Sequence, residues 1–326
     1  MNTIVSLLYN AVLNGTPLMF GTMGEVLTEK SGNLNLGVEG MMYMGGAIGL
    51  AGAFYYEKMA GSAANGIVAI LIALLLAFIA GAIGALIFSF ITISMRANQN
   101  VTGLALTIFG TGVGQFIGEY MRTKEGGYVV VGNGLKNFFQ ASPFPKALQD
   151  IPVAGKLIFG HNIFVYLGII IAVIMAIYMN RTRFGLNLRA VGESPATADA
   201  AGINVTRYKY LATVIGGGIS AIGGMVYIMT IAGCVWNHEG LAGEGWLAVA
   251  LVIFCLWKPI SAMWGSTLFG ALLIMYLRVR LPIPSEIYKI LPYVVTVAVL
   301  IITSLRKKKE NQPPESLGLS YFREDR

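Results

Sequence analysis

Two carboxylates in this sequence stand between glycines at the start of apolar runs. Glu39 lies in Gly37–Val38–Glu39–Gly40, and Glu244 lies in Gly243–Glu244–Gly245–Trp246. A charged group at the centre of a membrane span costs roughly 2.5–3.5 kcal/mol, so each must meet water or a polar partner. Glycine-interrupted segments in corresponding positions of two halves mark a transport path. Glu39, Glu244 and Trp246 are therefore candidates for path lining. The plainer reading is that each carboxylate complements the positive end of a helix.

Amides form a second cluster. Asn98, Gln99 and Asn100 precede an apolar run, where they could gate a path or simply make a solvated turn. Beyond them Thr107, Thr111 and Gln115 recur at i, i+4 and i+8, which puts them on one helix face. A polar stripe through an apolar helix should face protein or water, and this stripe is the best sequence argument for a polar pathway.

A third segment, 180–209, is polar and basic. Within it Ser194 can cap a helix whose first residue is Pro195, where a missing N–H costs nothing. Ala196, Thr197, Ala198, Asp199, Ala200 and Ala201 continue the helix, and Gly202 ends it. Two turns are marginal alone in water, so this helix must pack against something. It either docks in a groove on a partner or rests on its own bundle. In the docking case, a bulky side chain at Ala198 or Ala200 should clash with the groove.

Material for catalysis is sparse. The chain has two histidines, His161 and His238, and two cysteines, Cys234 and Cys255, outside metal-type or disulfide-framework spacing. No nucleophile elbow, P-loop or zinc-binding HExxH is present. The expectation is a chain with no metal site, no cofactor and no ATPase activity of its own.

The elements that must carry these residues follow from composition. Of 326 residues 56% are apolar and 12% charged, against roughly 25% charged in soluble domains. Disorder and a soluble fold are excluded. The net charge of +7 is scattered between apolar runs, which argues against nucleic acid as a partner. The expected fold is all-α, a polytopic transmembrane bundle of about nine spans, with eight or ten as alternatives. The runs are 3–27, 34–56, 67–95, 101–120, 163–179, 210–231, 245–257, 262–277 and 287–305. The first basic residue is Lys30, so the first run reads as a retained span rather than a leader. Residues 81–85, the triplet Gly216–Gly217–Gly218 and the pair Gly223–Gly224 read as close helix contacts.

Residues 1–309 then form one transmembrane domain. Loop 121–162 carries Pro143, Pro145 and Pro152 and a short surface helix at 146–149, and the tail 310–326 is expected to be disordered. Putting Arg306 to Lys309 inside leaves an inner excess of Lys and Arg, including Lys30, Arg96, Arg181, Arg183, Arg189, Arg207, Lys209 and Lys258. The positive-inside rule then places the N-terminus outside and loop 181–209 inside.

The same segments resemble the permease subunits of bacterial ABC importers of the ribose, simple-sugar and nucleoside class. The resemblance rests on residues 15–46, 98–112, 181–205, 242–259 and the tail 313–324. The EKSGNLNLGVEGMM run, the NQNVTGLAL run and the LGLSYFRE ending look most like the shorter permease of nucleoside importers. It implies a dimer of permeases, here a heterodimer. Each permease would contact an ABC ATPase through a coupling helix at 195–201, and an extracytoplasmic lipoprotein would deliver solute. ATP would sit in the partner, and the chain would lie in the bacterial inner membrane among lipid. Two other classes stand beside this one: a stand-alone secondary transporter of a small polar solute, which would need paired intramembrane ionisable residues, and an intramembrane enzyme.

Overall fold

The computed structural model describes residues 3–278, 285–306 and 312–322. Lys307 to Lys309, used in the argument from charge, lie outside them.

Thirteen α-helices are described: α1 Thr3–Glu29, α2 Val38–Ala60, α3 Gly66–Ser89, α4 Gln99–Lys124, α5 Asn133–Gln140, α6 Lys146–Gln149, α7 Ile163–Arg181, α8 Arg183–Glu193, α9 Pro195–Ala200, α10 Val205–Val226, α11 Glu244–Phe254, α12 Pro259–Arg278 and α13 Ser285–Arg306. Wider π-type turns extend α3 to Ser94 and α10 to Ile231. Each of the nine expected runs coincides with a helix. Among the described residues, five are long and apolar enough to cross a membrane: 4–29, 66–94, 99–124, 163–181 and 205–231.

The side-chain pattern inverts that of a soluble bundle. On α3 the large residues Ile67, Leu71, Leu75 and Ile83 are exposed, while Ala69, Ala73, Ala77 and Gly81 are buried. Water would penalise that exposure. Lipid does not, and small residues let backbones approach closely. The glycines noted in the sequence do this. A side chain on Gly81 or Gly217 would run into the other's backbone, and one on Gly224 would strike the backbone of Met42. α10 and α2 thus form the centre, wrapped by α1, α3 and α4, with α12 against the outer side of α1.

The seventh run is not a full crossing. α11 has 11 residues, about 16 Å of helix against a hydrocarbon core of about 30 Å. Its position follows from its neighbours. Gln99, at the start of α4, accepts a hydrogen bond from the Leu34 N–H at 2.7 Å. Gly110, about 16 Å further along α4, backs onto Gly40. Glu39 and the start of α2 therefore stand at mid-depth, and the N-terminus of α11 meets them there. α11 then runs alongside α1: the Thr22 hydroxyl donates to the Ala248 carbonyl at 3.1 Å, and the Trp257 indole N–H donates to Glu29 at the end of α1. Residues 232–243 cover the other half of the crossing as an irregular segment. It starts at the far end, where Val131 N–H donates to the Cys234 carbonyl. Such backbone is tolerated at depth only where it is buried in protein or lines a water-filled cavity; here Cys234, Trp236 and Leu241 are buried, while Asn237, His238 and Glu239 are exposed. The chain still changes sides, so the parity of the expected topology is unaltered.

The loop after α4 contains the expected turn of helix at Lys146–Gln149 and also α5, which the sequence reading lacks. Polar Asn133, Lys136 and Asn137 hide the pair that anchors α5, Leu135 and Phe139, both buried. The tail departs from expectation. Residues 312–322 lie along the α9 end of the bundle and are hydrogen-bonded to it. Ser316 N–H donates to the Gly192 carbonyl and Gly318 N–H to the Gly32 carbonyl, both at 3.1 Å. Leu317 packs beside Val26, Met179 and Trp257. Pro313–Pro314 and mixed charge suggested disorder, but the apolar residues between the charges find sites on the bundle.

Candidate functional site

Glu39 and Glu244 are brought together. The Glu39 carboxylate accepts from Gly243 N–H at 2.7 Å through Oε1, and from Gly245 N–H at 2.7 Å and Trp246 N–H at 3.3 Å through Oε2. These are unpaired N–H groups of the α11 N-terminus, so a residue on α2 caps a helix some two hundred residues later. The helix-end reading holds for Glu39, and its partner is another element rather than its own helix. Gly245 permits the approach, since a Cβ there would strike the Glu39 backbone. Gly243 supplies the left-handed turn, with φ 90°. Glu244 is part-buried, with Oε2 enclosed and unpartnered. Trp246 is half-buried on the same turn.

The amide cluster divides. Asn98 caps α4, its side chain accepting from Val101 N–H at 3.0 Å. Gln99 is buried, ties Leu34 and donates to the Leu319 carbonyl at 3.4 Å. Asn100 is exposed. The stripe on α4 flanks the helix's glycine face. Thr107 donates to the Leu36 carbonyl at 2.7 Å, Thr111 keeps an enclosed and unpartnered hydroxyl, and Gln115 donates to the His238 carbonyl at 3.4 Å. One turn on, Glu119 pairs with Arg122 at 3.0 Å and faces His238 at 3.5 Å. The stripe therefore ends against the irregular segment that leads down to α11. The 3.6-residue period predicts Glu119 as its next member.

At the opposite end α9 forms as expected. Ser194 caps it, accepting from Thr197 N–H at 3.4 Å, and Gly202 follows with φ 82°. Ala198 points inward. It is 3% exposed and packs with Val191 and Val205. A bulky residue at Ala198 would thus disrupt this chain's own core, which corrects the expectation for that position. Ala196, Thr197, Ala200, Ala201 and Gly202 form the open face. Asp199 accepts from the Tyr321 hydroxyl at 2.8 Å, so the tail holds α9 in place. Burial lowers the pKa of nearby Lys30, and Glu193 opposes the shift.

Several polar residues escaped the sequence reading. Glu25 and Glu29 are buried near the end of α1, bonded to the Asn35 N–H at 3.1 Å and to the Trp257 indole respectively. Their i, i+4 spacing is visible, but the bonding groups arrive from other elements. No cluster of His, Cys, Asp and Glu suited to a metal occurs among the described residues. Both cysteines are buried free thiols.

The family described as branched-chain amino acid transport system, permease component, matches residues 7–300. The chain belongs to this permease family. Over 98% of both chains the permease is 32% identical to the guanosine ABC transporter permease protein NupQ of Bacillus subtilis. It is 31% identical, over 93% of both, to the nucleoside ABC transporter permease protein NupC of Lactococcus lactis. A putative glucose ABC transporter permease protein of Haloferax volcanii is 31% identical over 99% of both. The permease is accordingly a multi-pass membrane protein and the transport component of an ABC system.

Proposed function

We propose that the permease imports nucleosides, with simple sugars as the alternative solute, across a bacterial inner membrane. It would pair with a second, different permease. A partner ATPase would bind and hydrolyse ATP at each coupling face, and an extracytoplasmic lipoprotein would deliver solute. What carries the reading is the near full-length relation to the guanosine and nucleoside permeases. The Lys and Arg bias supports placing α9 and the tail on the cytoplasmic side.

The geometry supports a mechanism. α9 is braced by α8, by the start of α10 and by Tyr321, so a push on its open face moves these elements together. α10 runs through the core against α1, α2 and α3. α2, packed on α10, would follow it and carry α11, because Glu39 of α2 holds the α11 N-terminus. The solute path would follow the α4 stripe, through Thr107, Thr111 and Gln115, to the mid-depth junction at Glu39, Glu244 and Trp246. Asn98, Gln99 and Asn100 would stand near its inner mouth. Solute without charge asks for hydrogen bonding along the way rather than a tight ionic site.

Two alanines test the coupling assignment. Ala200→Trp, on the open face, should insert and melt like the wild type yet lose transport and co-purification with its ATPase. Ala198→Trp should instead lower the melting temperature of the permease itself. Normal transport and normal ATPase capture by Ala200→Trp would remove α9 from the contact.

A further inference from the structure

A cleft of about 770 Å³ opens at the α9 end between the π-type extension of α3, the first turns of α10 and the tail. Its charged lining is Arg96, Arg207, Lys209 and Asp199. Asp199 is engaged by Tyr321. Arg96 lies over the Phe322 ring at 4.7 Å, which leaves its guanidinium N–H groups free of a carboxylate there. Lys209 is the unusual member. It is 3% exposed, yet its ammonium has no hydrogen-bond or ion-pair partner among the described residues. A buried ammonium is costly unless it is paired. The cleft is also floored by the N-terminus of α10, a helix of 22 residues whose positive end favours an anion. Asn33 adds an enclosed, unpartnered Oδ1 that can accept from a hydroxyl.

We propose that this cleft binds a phosphate group carrying a neighbouring hydroxyl. Lys209, Arg207 and the α10 N-terminus would hold the phosphate oxygens, and Asn33 the hydroxyl. Two sources present that chemistry. One is the glycerol-phosphate headgroup of an anionic lipid in the adjacent leaflet, reached past the exposed apolar Leu211 and Phe90. The other is a soluble phosphomonoester. The proposal rests on the membrane-spanning reading and on neither the solute nor the ATPase, so its test is separate from theirs.

The permease in phosphatidylcholine nanodiscs, in phosphate-free buffer of fixed ionic strength, is melted under three conditions. These are added phosphatidylglycerol in the disc, added glycerol 1-phosphate in solution, and added chloride. The expected result is a saturable rise in Tm of roughly 3 °C or more in one of the first two, with the responding arm naming the source. Arg207→Ala, an exposed position, should melt like the wild type without anion and need at least about ten times more ligand. Lys209→Met should melt no lower than wild type without anion and lose the response. If Lys209→Met fails to fold, Arg207→Ala alone decides. No saturable rise in either arm, an equal rise with chloride, or an unaltered response in Arg207→Ala overturns the proposal.

Discussion

Glu39 shows how much one side chain can organise. Its carboxylate satisfies three backbone N–H groups at the start of α11, where lipid or solute could not do so continuously. Glu39→Ala leaves those donors without a partner, at a cost of about 1–3 kcal/mol or more, and should lower both Tm and uptake. Glu39→Gln keeps an acceptor oxygen and should fall between the two. Gly245→Ala should be worse than Glu39→Gln, because its methyl meets backbone that cannot move aside. A second residue-level expectation concerns His161, which is buried and stacked on Tyr9 at 4.6 Å. Burial lowers its pKa to about 4, with the Leu157 carbonyl opposing, below an unfolded value of about 6.5. The folded state therefore binds this proton less readily than the unfolded state. The stability so contributed is present above about pH 6.5 and is lost as pH falls toward 4. His161→Phe keeps the stack and removes the titration, so thermal melts should show it gaining on the wild type between pH 7 and 4.5. A constant difference across that range would mean that His161 is not held neutral.

At the scale of elements, what the sequence discloses depends on where the partner of each residue lies. Nine apolar runs were legible because lipid selects length and hydropathy locally. α9 was legible for the same reason: Ser194, Pro195 and Gly202 act within a few residues. The shortness of α11 was legible too, since its run spans only 245–257, but the way the chain ends it was not. Leu256 and Trp257, at the end of that run, take a left-handed backbone (φ 55° and 54°) that turns the chain back, and neither residue type signals such a turn. The docked tail was hidden too, since its bonds go to Gly32, Gly192 and Asp199, far away in sequence. Likewise Glu39 and Glu244 were each recognisable as unusual, but their meeting was not. The tail makes a testable contribution. Tyr321→Phe removes only the bond to Asp199, worth about 0.5–1.5 kcal/mol, and should loosen α9 without unfolding the bundle. Hydrogen exchange at residues 195–202 should accelerate in that variant while the amides of α10 stay protected.

At the scale of the whole molecule, α9 and the tail stand at one end, and α5, α6 and the start of α7 at the other. A glycine-tight centre of α2 and α10 lies between them. The positive-inside bias supports the proposed orientation, with α9 in the cytoplasm. In a background without Cys234 and Cys255, a cysteine at exposed Thr197 should resist an impermeant reagent in intact cells, whereas one at exposed Leu148 should react. On the proposed function, this body moves solute only when partner ATPases drive it through α9. The most direct measurement is uptake of labelled guanosine into proteoliposomes holding the permease with its second permease, ATPase and binding protein. Accumulation should require hydrolysable ATP, stop with a non-hydrolysable analogue and be indifferent to ion gradients. Uptake by the permease alone, driven by an ion gradient and unaffected by ATP, would contradict the proposed function.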